Sequence, residues 1–221
     1  MESKVAVIQA NIGGFDPEVT HEKQSIPCDF YMFDDKTFPL RDKVFTPMMQ
    51  AKIPKCFGWQ LAPGYDYYLW MDGRFSLKRP DSLKYYLDHC KGYDMVVMRH
   101  YRRPSIYEEW RYIRRGLWQS PYIITRYENE FLKEQWETIH ADKEYKDDLL
   151  LAAGIFMYKN TPQVQSALKE WWYHITRYLV MDQLAFAYVL KKAGLKLKIL
   201  DESHRDNPNI LLKSHVRNRT L

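Results

Sequence analysis

The stretch YDYYLWMDGRFSL, residues 65–77, combines an apolar run with a polar turn. Its aromatic and aliphatic residues up to Met71 are typical of a buried β-strand, and Asp72-Gly73-Arg74 follows where that strand ends. Strands often end in Asp-Gly, so this turn alone does not indicate a functional site. Its interpretation depends on which other residues lie beside it. The stretch therefore predicts a central strand and directs attention to the ends of the other strands.

Strands and helices alternate along the rest of the chain. Apolar, β-branched runs predict further strands at residues 5–11, 30–35, 93–101, 149–160 and 195–200, and a polar tail follows the last of them. Helical spacing and end signals predict helices at about 45–61, 80–89, 105–118, 127–140, 162–178 and 182–193. This alternation is typical of an α/β fold with a mostly parallel, Rossmann-like central sheet flanked by helices.

Four of the predicted strands end in polar or charged residues. These ends are Gln9-Ala10-Asn11, Asp34-Asp35, Asp72-Gly73-Arg74 and Arg99-His100. Ligands of open α/β sheets bind outside the carboxyl ends of the strands, where such residues meet. The pattern predicts a ligand site along this edge of the sheet.

Length and composition favour one domain in a reducing compartment. A chain of 221 residues suits a single domain that buries a core without staples, and its formal net charge is +5. The three cysteines, Cys28, Cys56 and Cys90, form neither a metal spacing nor a paired framework. Neither a signal peptide nor an apolar run long enough to span a membrane occurs in the sequence. We expect a cytoplasmic protein without a membrane span.

Several familiar catalytic motifs are absent from the sequence. Gly13-Gly14 is followed by Phe-Asp-Pro, which matches neither a dinucleotide-binding fingerprint nor a P-loop. The chain has no Gly-x-Ser-x-Gly nucleophile elbow and no His-x-x-x-His zinc pair. What remains is a carboxylate on a turn, which suits Mg²⁺ or Mn²⁺, since these ions take few protein oxygens when substrate phosphates complete their shell.

Residues 99–118 concentrate positive charge. This stretch holds six arginines and one histidine against two glutamates. A solvated helix whose arginine stems cover aromatic rings explains it, and a surface for phosphate or an acceptor explains it as well. A nucleic-acid-binding module is a further alternative for the same residues.

Four stretches resemble one known family. They are AKIPKCFGWQLAPGYDYYLWMDGRF (51–75), MRHYRRPSIYEEW (98–110), AAGIFMYKNTP (152–162) and MDQLAFAYVL (181–190). In this order they resemble nucleotide-sugar glycosyltransferases of the GT-A fold. More narrowly, they resemble the hexosyltransferase-like family of plant and bacterial polysaccharide enzymes and the glycosyltransferase domains that chloroviruses use on their capsid glycan. The resemblance implies a single GT-A domain over residues 1–221, with a nucleotide-binding part to about residue 100 and an acceptor and catalytic part beyond it.

The resemblance also implies roles for individual residues. Asp182 and Gln183 would be catalytic, Asp182 as the general base if the enzyme inverts, and both would orient the donor sugar if it retains. The donor-binding residues would be Gln9, Ala10, Asn11, Asp34, Asp35, Lys52, Lys55, Asp72, Gly73, Arg74 and Gly154. Arg99 and His100 would contact the acceptor or a phosphate.

One departure from the family pattern concerns the metal. GT-A enzymes usually carry Asp-x-Asp, whereas this chain has Asp72-Gly73-Arg74. Asp72 would therefore hold Mn²⁺ or Mg²⁺ together with His215, with His204 as the second choice, or Arg74 would supply positive charge directly to the diphosphate.

The function implied is transfer of a sugar from a UDP-sugar donor to a glycan acceptor, such as a protein-linked or capsular glycan. The expected partners are these substrates, without nucleic acid. Two alternatives stay open. One is the nucleic-acid-binding module at residues 99–118, and the other is a catalytically inactive domain that binds glycans.

Overall fold

The computed structural model describes residues 3–215 as a central sheet with helices on both faces. Its elements, in chain order, are β1 (Val5–Asn11), β2 (Asp29–Asp34), α1 (Pro47–Leu61), β3 (Tyr67–Asp72), β4 (Phe75–Leu77), α2 (Ser82–Cys90), β5 (Met95–Arg99), α3 (Ile106–Gln119), α4 (Pro121–Tyr127), α5 (Leu132–Ala141), β6 (Leu151–Lys159), α6 (Pro162–Arg177), α7 (Gln183–Lys192), β7 (Leu197–Leu200) and β8 (Ile210–Leu212).

The main sheet has six strands in the order β2-β1-β3-β6-β5-β7. Strand β1 runs parallel to β2 and β3, and β5 runs parallel to β7. Strand β6 lies between β3 and β5 and is antiparallel to both. The predicted α/β fold with a mostly parallel sheet is confirmed, and the carboxyl ends of β1, β2, β3 and β5 share one edge. The two parts predicted on either side of residue 100 share this sheet, because β6 and β7 pair with earlier strands.

Alternation along the strands divides the core into two layers. Ala6 and Ile8 of β1 pack with Tyr68 and Trp70 of β3 on one face, against α1, α6 and α7. The intervening residues, such as Leu69, face α2 and the β4–β8 pair on the other side. Successive side chains of a strand point to opposite faces, so a strand buried on both sides reads as one continuous apolar run.

Helix α1 carries the two lysines of the predicted site. It begins at Thr46, whose side chain accepts a hydrogen bond from Met49 N, with proline at the first helical turn. Pro54 lies inside it, and the backbone at Phe57 leaves helical geometry three residues later. Gly58 lets the helix approach β1, since a Cβ there would lie 3.1 Å from Ile8 Cγ1. The helix is thus pressed onto the sheet beside the end of β3.

Two sequence predictions about secondary structure were wrong. The helix predicted at 127–140 begins only at Leu132, as α5, and α4 at Pro121–Tyr127 was not predicted; Asn129, between the two helices, has a positive φ of 67°. The segment after β7 is not only a tail, because β8 pairs antiparallel with β4, with Phe75 opposite Leu212. Neither the break at Asn129 nor the short strand β8 produces a hydrophobic periodicity in the sequence, so neither was predicted.

Among residues 3–215, no helix has the length and apolar character needed to cross a bilayer.

Candidate active site

A cleft of about 380 Å³ opens at the carboxyl edge of the sheet. The loops after β1 and β3, the start of α1, helix α4 and the start of α7 all contribute to it. Its lining includes Ala10, Asn11, Phe15, Asp16, Lys52, Trp70, Asp72, Gly73, Arg74, Tyr122, Arg126, Tyr127, Asp182, Gln183 and His215. The structure therefore brings together Asp72 and Asp182, which are more than a hundred residues apart in the sequence.

Asp72 is held in one orientation by donors on one of its oxygens. Trp70 Nε1 donates to Asp72 Oδ1 at 3.1 Å, and Lys55 Nζ donates to the same oxygen at 3.2 Å. The other oxygen, Oδ2, points toward Gly154, where a Cβ would lie 3.1 Å from it. The carboxylate is 37% exposed, so it presents one free edge to the cleft.

Gly73 and Gly154 provide space rather than chemistry. A Cβ at Gly73 would lie 2.6 Å from the carbonyl oxygen of Ala10, closer than two such atoms can pack. Gly154 lies in a β-bulge, because the register of β5 on β6 jumps from Val97–Phe156 to Met98–Ala152. Residues 153–155 therefore have no partner in β5, and Gly154 and Ile155 border the site.

Lys52, Lys55 and Asp182 form a buried charge cluster. Lys52 Nζ lies 2.7 Å from Asp182 Oδ2, and Lys55 is in ion-pair contact with the same oxygen. Lys55 is only 2% exposed and also pairs with Asp72, so its ammonium bridges both carboxylates. Its charge further lies over the rings of Trp70 and Trp171, at 5.4 and 5.5 Å from their centroids. The cluster ties α1 to the start of α7 and to the end of β3.

This cluster changes the role of Asp182. Burial opposes its charged form, but the ammonium groups of Lys52 and Lys55 outweigh burial and hold the pKa of Asp182 well below its ordinary value. An efficient general base needs a pKa near the working pH, so the general-base role predicted for the inverting case does not fit this carboxylate. Asp182 instead orients the two lysines, while Trp171 Nε1 fixes its backbone by donating to Asp182 O at 2.7 Å.

A second compartment of about 230 Å³ adjoins the cleft and shares Asp72, Arg74 and Gln183 with it. The bulged backbone at Gly154 and the rings of His100 and His204 complete its walls. Burial, together with the charge of Arg103, lowers the pKa of His100 to about 4, so this imidazole is neutral near pH 7. His100 lines this compartment, its predicted contact with an acceptor or a phosphate stays a prediction, and Gln183 lies where the two compartments meet.

Two arginines bring positive charge to the cleft without a carboxylate partner among residues 3–215. Arg74 contacts the Phe75 ring at 5.9 Å and forms no ion pair. Arg126 donates to Met48 Sδ at 2.8 Å and lies over the Tyr122 ring at 5.0 Å. Its Nε is buried and unbonded. Sequence reasoning missed Arg126, because α4 reaches the cleft only through tertiary packing.

Gln9 does not line the cleft as a donor-binding residue. Its Nε2 donates to the backbone oxygens of Phe75 at 2.9 Å and Asp72 at 3.3 Å, and its Oε1 contacts His21 Nε2 at 2.6 Å. The side chain is 3% exposed and lies beneath the turn that carries Asp72. It supports the site from below.

The acidic residues at the end of β2 and the arginine at the end of β5 also serve the backbone or the surface. Asp34 accepts hydrogen bonds from the backbone of the turn that follows it, including Thr37 N at 2.9 Å. Asp35 accepts from Gly13 N at 2.9 Å, which holds the loop after β1. Arg99 pairs with Asp201 at 2.7 Å on the surface. The predicted ligand contacts of these three side chains are therefore replaced by structural contacts.

Asn11, Asp16 and His215 line the cleft beside the turn at Gly73, where a Cβ would lie 2.9 Å from Asp16 Oδ2 and 3.3 Å from Asn11 Cβ. The Asn11 side chain closes its loop through Asp16 O at 2.8 Å and Asp16 N at 2.9 Å. His215 Nδ1 lies 2.7 Å from Asp16 Oδ1, and its ring contacts Phe15 with centroids 4.7 Å apart. His215 thus lines the cleft with Asp72, as the metal prediction requires.

The fit of a divalent cation is poor at this site. Among residues 3–215, no three His, Cys, Asp or Glu side chains group closely enough to hold a metal ion. The buried ammonium of Lys55 already compensates Asp72 and would repel a cation bound there. His204, the second choice as a ligand, packs edge-on against Phe75 in the other compartment.

Comparison with solved structures gives distant matches. Mouse xyloside xylosyltransferase 1 in its apo form is 10% identical, covering 90% of this chain and 85% of that one with a TM-score of 0.46. A glycosyltransferase involved in the glycosylation of the major capsid of PBCV-1 is 9% identical, with coverages of 89% and 82% and a TM-score of 0.47.

No curated protein sequence matches the chain. A family model does match, over residues 23–212, which include β2 through β8 and the part of the cleft from α1 to α7, while the loop after β1 and His215 lie outside the match. The chain belongs to the TOD1/MUCI70 glycosyltransferase-like domain family.

Proposed function

We propose that this protein transfers a glycosyl unit from a UDP-sugar to a hydroxyl group of a glycan acceptor, through a site of the GT-A type. Family membership supports glycosyl transfer, and the sequence resemblance supports the uridine nucleotide and the glycan. The observation that carries the proposal is the cleft at the carboxyl edge of the sheet, where Asp72 and Asp182 share Lys55 while Arg74 and Arg126 lack carboxylate partners among the described residues.

The charges of the cleft favour a diphosphate ligand. Lys52 and Lys55 are already engaged with Asp182 and Asp72. Arg74 and Arg126 therefore supply the excess positive charge, and a planar guanidinium suits phosphate oxygens. The aromatic rings that line the cleft around Arg126 lower the local dielectric, which strengthens this attraction. A nucleoside diphosphate matches both the charge and the size of the cleft.

The same cations support the chemistry of transfer. When the bond between the anomeric carbon and the phosphate oxygen breaks, its electron pair leaves with the diphosphate, while the acceptor hydroxyl oxygen bonds to the anomeric carbon and its proton passes to the departing diphosphate. Preorganised positive charge beside the leaving oxygens stabilises that transition state. We assign this role to Arg74 and Arg126, with Lys55 holding Asp72 in place beside them.

The divalent cation predicted on Asp72 and His215 fits the described side chains poorly, so we favour the other predicted arrangement, in which Arg74 supplies positive charge directly to the diphosphate. When bound, Mn²⁺ or Mg²⁺ would act as a Lewis acid on the diphosphate. The lysine and arginine side chains provide an alternative source of that charge, so we expect turnover to persist when divalent ions are removed. Cytoplasmic location stays a prediction.

The arginine-rich stretch fits the solvated-helix interpretation better than a nucleic-acid surface. Arg103 pairs with Glu109, and Arg111 pairs with Glu108 at 3.2 Å. Arg114 lies over the ring of Trp110 at 4.8 Å. These charges are satisfied within and around the helix, which leaves fewer of them for phosphates.

A thermal-shift panel of nucleotide sugars, each with Mn²⁺ and with EDTA, tests the donor. Binding at about a hundred times the dissociation constant stabilises the fold by about 2.7 kcal/mol. Donors that bind are then assayed for release of UDP, with and without glycan acceptors. Asp72→Asn should abolish release, while Asp88→Asn, a surface aspartate paired with Lys84 and Lys91, should not.

Two results would contradict the proposal, and a third would change only the role given to the arginines. If no nucleotide sugar binds and RNA binds with a steep salt dependence, the nucleic-acid alternative is favoured. If glycans bind but no donor is turned over, the inactive module is favoured. If turnover disappears in EDTA and returns with Mn²⁺, the metal prediction is confirmed and the arginines alone are insufficient.

A further inference from the structure

We infer that Glu109 is a positioning residue that fixes the side-chain amide of Gln183 so that its carbonyl oxygen faces the substrate. This inference rests on the proposed function and deepens it. Glu109 lies on α3, is fully buried and does not line the cleft. One of its oxygens, Oε1, accepts a hydrogen bond from Gln183 Nε2 at 2.9 Å, and the other pairs with Arg103.

The chemistry of the carboxylate sets the direction of the amide. An ionised carboxylate only accepts hydrogen bonds, whereas an amide carries a donor at one end and an acceptor at the other. Burial raises the pKa of Glu109, while the ion pair with Arg103 and the hydrogen bond from Gln183 act against burial and favour the ionised form. Gln183 must then turn its nitrogen toward Glu109 and its oxygen away. No donor among residues 3–215 bonds to that oxygen, so its acceptor capacity is left for a ligand.

The location of Gln183 determines what the oriented amide can contact. Gln183 lines both compartments, and its backbone is anchored because the preceding residue, Asp182, is bound by Trp171 and by two lysines. An acceptor oxygen at this junction attracts a sugar hydroxyl or an electron-poor anomeric carbon, and it repels phosphate oxygens. A reversed amide would present a donor, which would attract phosphate instead. Glu109 therefore biases the junction toward the sugar.

The first test compares Glu109→Gln with the wild type in the full chain. Glutamine has the same shape but can donate as well as accept, so the amide of Gln183 is free to reverse. We expect kcat to fall by about 10- to 100-fold, the usual cost of losing an outer partner that orients a site group. The dissociation constant for UDP should stay unchanged or decrease, whereas general damage to the site would raise it.

A matched control addresses the packing of α3. Asp147→Asn neutralises a different carboxylate that holds the same helix, through Ile106 N at 2.7 Å and Tyr107 N at 2.8 Å. We expect this variant to keep its kcat. An equal loss of kcat in the two variants would overturn the inference, because it would show that the helix and not the amide is affected.

A double-mutant cycle tests whether Glu109 acts through Gln183. Gln183→Met removes the amide at similar length, and Glu109→Gln added to it should cost no further kcat. Losses that multiply would overturn the inference.

A readout independent of turnover is the side-chain amide of Gln183 in a ¹⁵N–¹H spectrum, identified by its absence in Gln183→Met. Its resonance should move in Glu109→Gln, and an unmoved resonance would overturn the inference. If the wild type releases UDP from no donor, the proposed function fails, while the spectrum still decides the orientation of the amide.

Discussion

Replacing Lys55 by methionine should destabilise the fold substantially, because Lys55 compensates two carboxylates at once. Removing one partner of a buried ion pair typically costs 3–5 kcal/mol. Here Asp182 keeps Lys52 at 2.7 Å, and Asp72 keeps the Trp70 indole at 3.1 Å and is 37% exposed. Both facts place the cost at the low end, so we expect a loss of about 3 kcal/mol. For a chain of this size that corresponds to a decrease in Tm of roughly 6–12 °C.

Urea unfolding at pH 7 measures this loss. Lys169→Met is the matched control, since Lys169 lies over the ring of Trp59 at 5.4 Å with no carboxylate partner among residues 3–215, and we expect it to stay within about 0.5 kcal/mol of the wild type. If Lys55→Met lowers the free energy of unfolding by less than about 1 kcal/mol, the reasoning is refuted, because Asp72 and Asp182 would then be stable without the Lys55 ammonium.

The same variant has a signature in pH. The folded-state pKa of Asp182 is depressed, so its stabilising contribution is present above the unfolded pKa of about 4 and is lost as the pH falls further. Lys55→Met brings that pKa back toward the unfolded value. The difference in unfolding free energy between wild type and variant should therefore narrow below about pH 4, and a constant difference would contradict the electrostatic account.

Three further predictions concern other parts of the structure. Gly73→Ala should lower the unfolding free energy by about 1–3 kcal/mol in urea, because its Cβ would lie 2.6 Å from Ala10 O and the turn must shift, whereas Gly92→Ala meets no atom within 4 Å and reports only the cost of its positive φ. Arg126→Met should weaken UDP binding at least about tenfold by calorimetry without lowering Tm, since the guanidinium has no carboxylate partner among the described residues, and unchanged affinity would remove Arg126 from the site. Burial lowers the pKa of His174 to about 4, so the unfolded chain binds its proton first as the pH falls from 6.5, and His174→Gln should recover up to about 3 kcal/mol of the stability lost between pH 6.5 and 4.

The regular parts of the fold are readable from sequence because they depend on local patterns. Strand β3 and its polar end were predictable, since a long apolar run followed by Asp-Gly has few other interpretations. Strand β8 was not, because three residues carry no periodic signal and their pairing with β4 depends on a chain separation of more than a hundred residues.

Site residues were predictable when residue type and position at a strand end both pointed to a ligand. They were less predictable when hydrogen-bond partners from distant segments determine what the side chain contacts. Lys55 and Asp72 were expected at the donor, and the structure places them in contact. Gln9 lies near the end of a strand, where a ligand-binding residue is expected, yet its amide donates to the backbone oxygens of Phe75 and Asp72. Glu109 and Arg126 escaped notice because helical spacing says nothing about which distant side chain a helix will meet.

The bulge at Gly154 has an evolutionary consequence. Most contacts of the cleft come from side chains, which a single substitution replaces. Where β5 loses its register, the polar groups of Gly154 belong to the main chain, so no substitution removes its carbonyl and only proline removes its N–H. A ligand contact made by the main chain at Gly154 therefore survives substitutions that change the side chains of the surrounding loops.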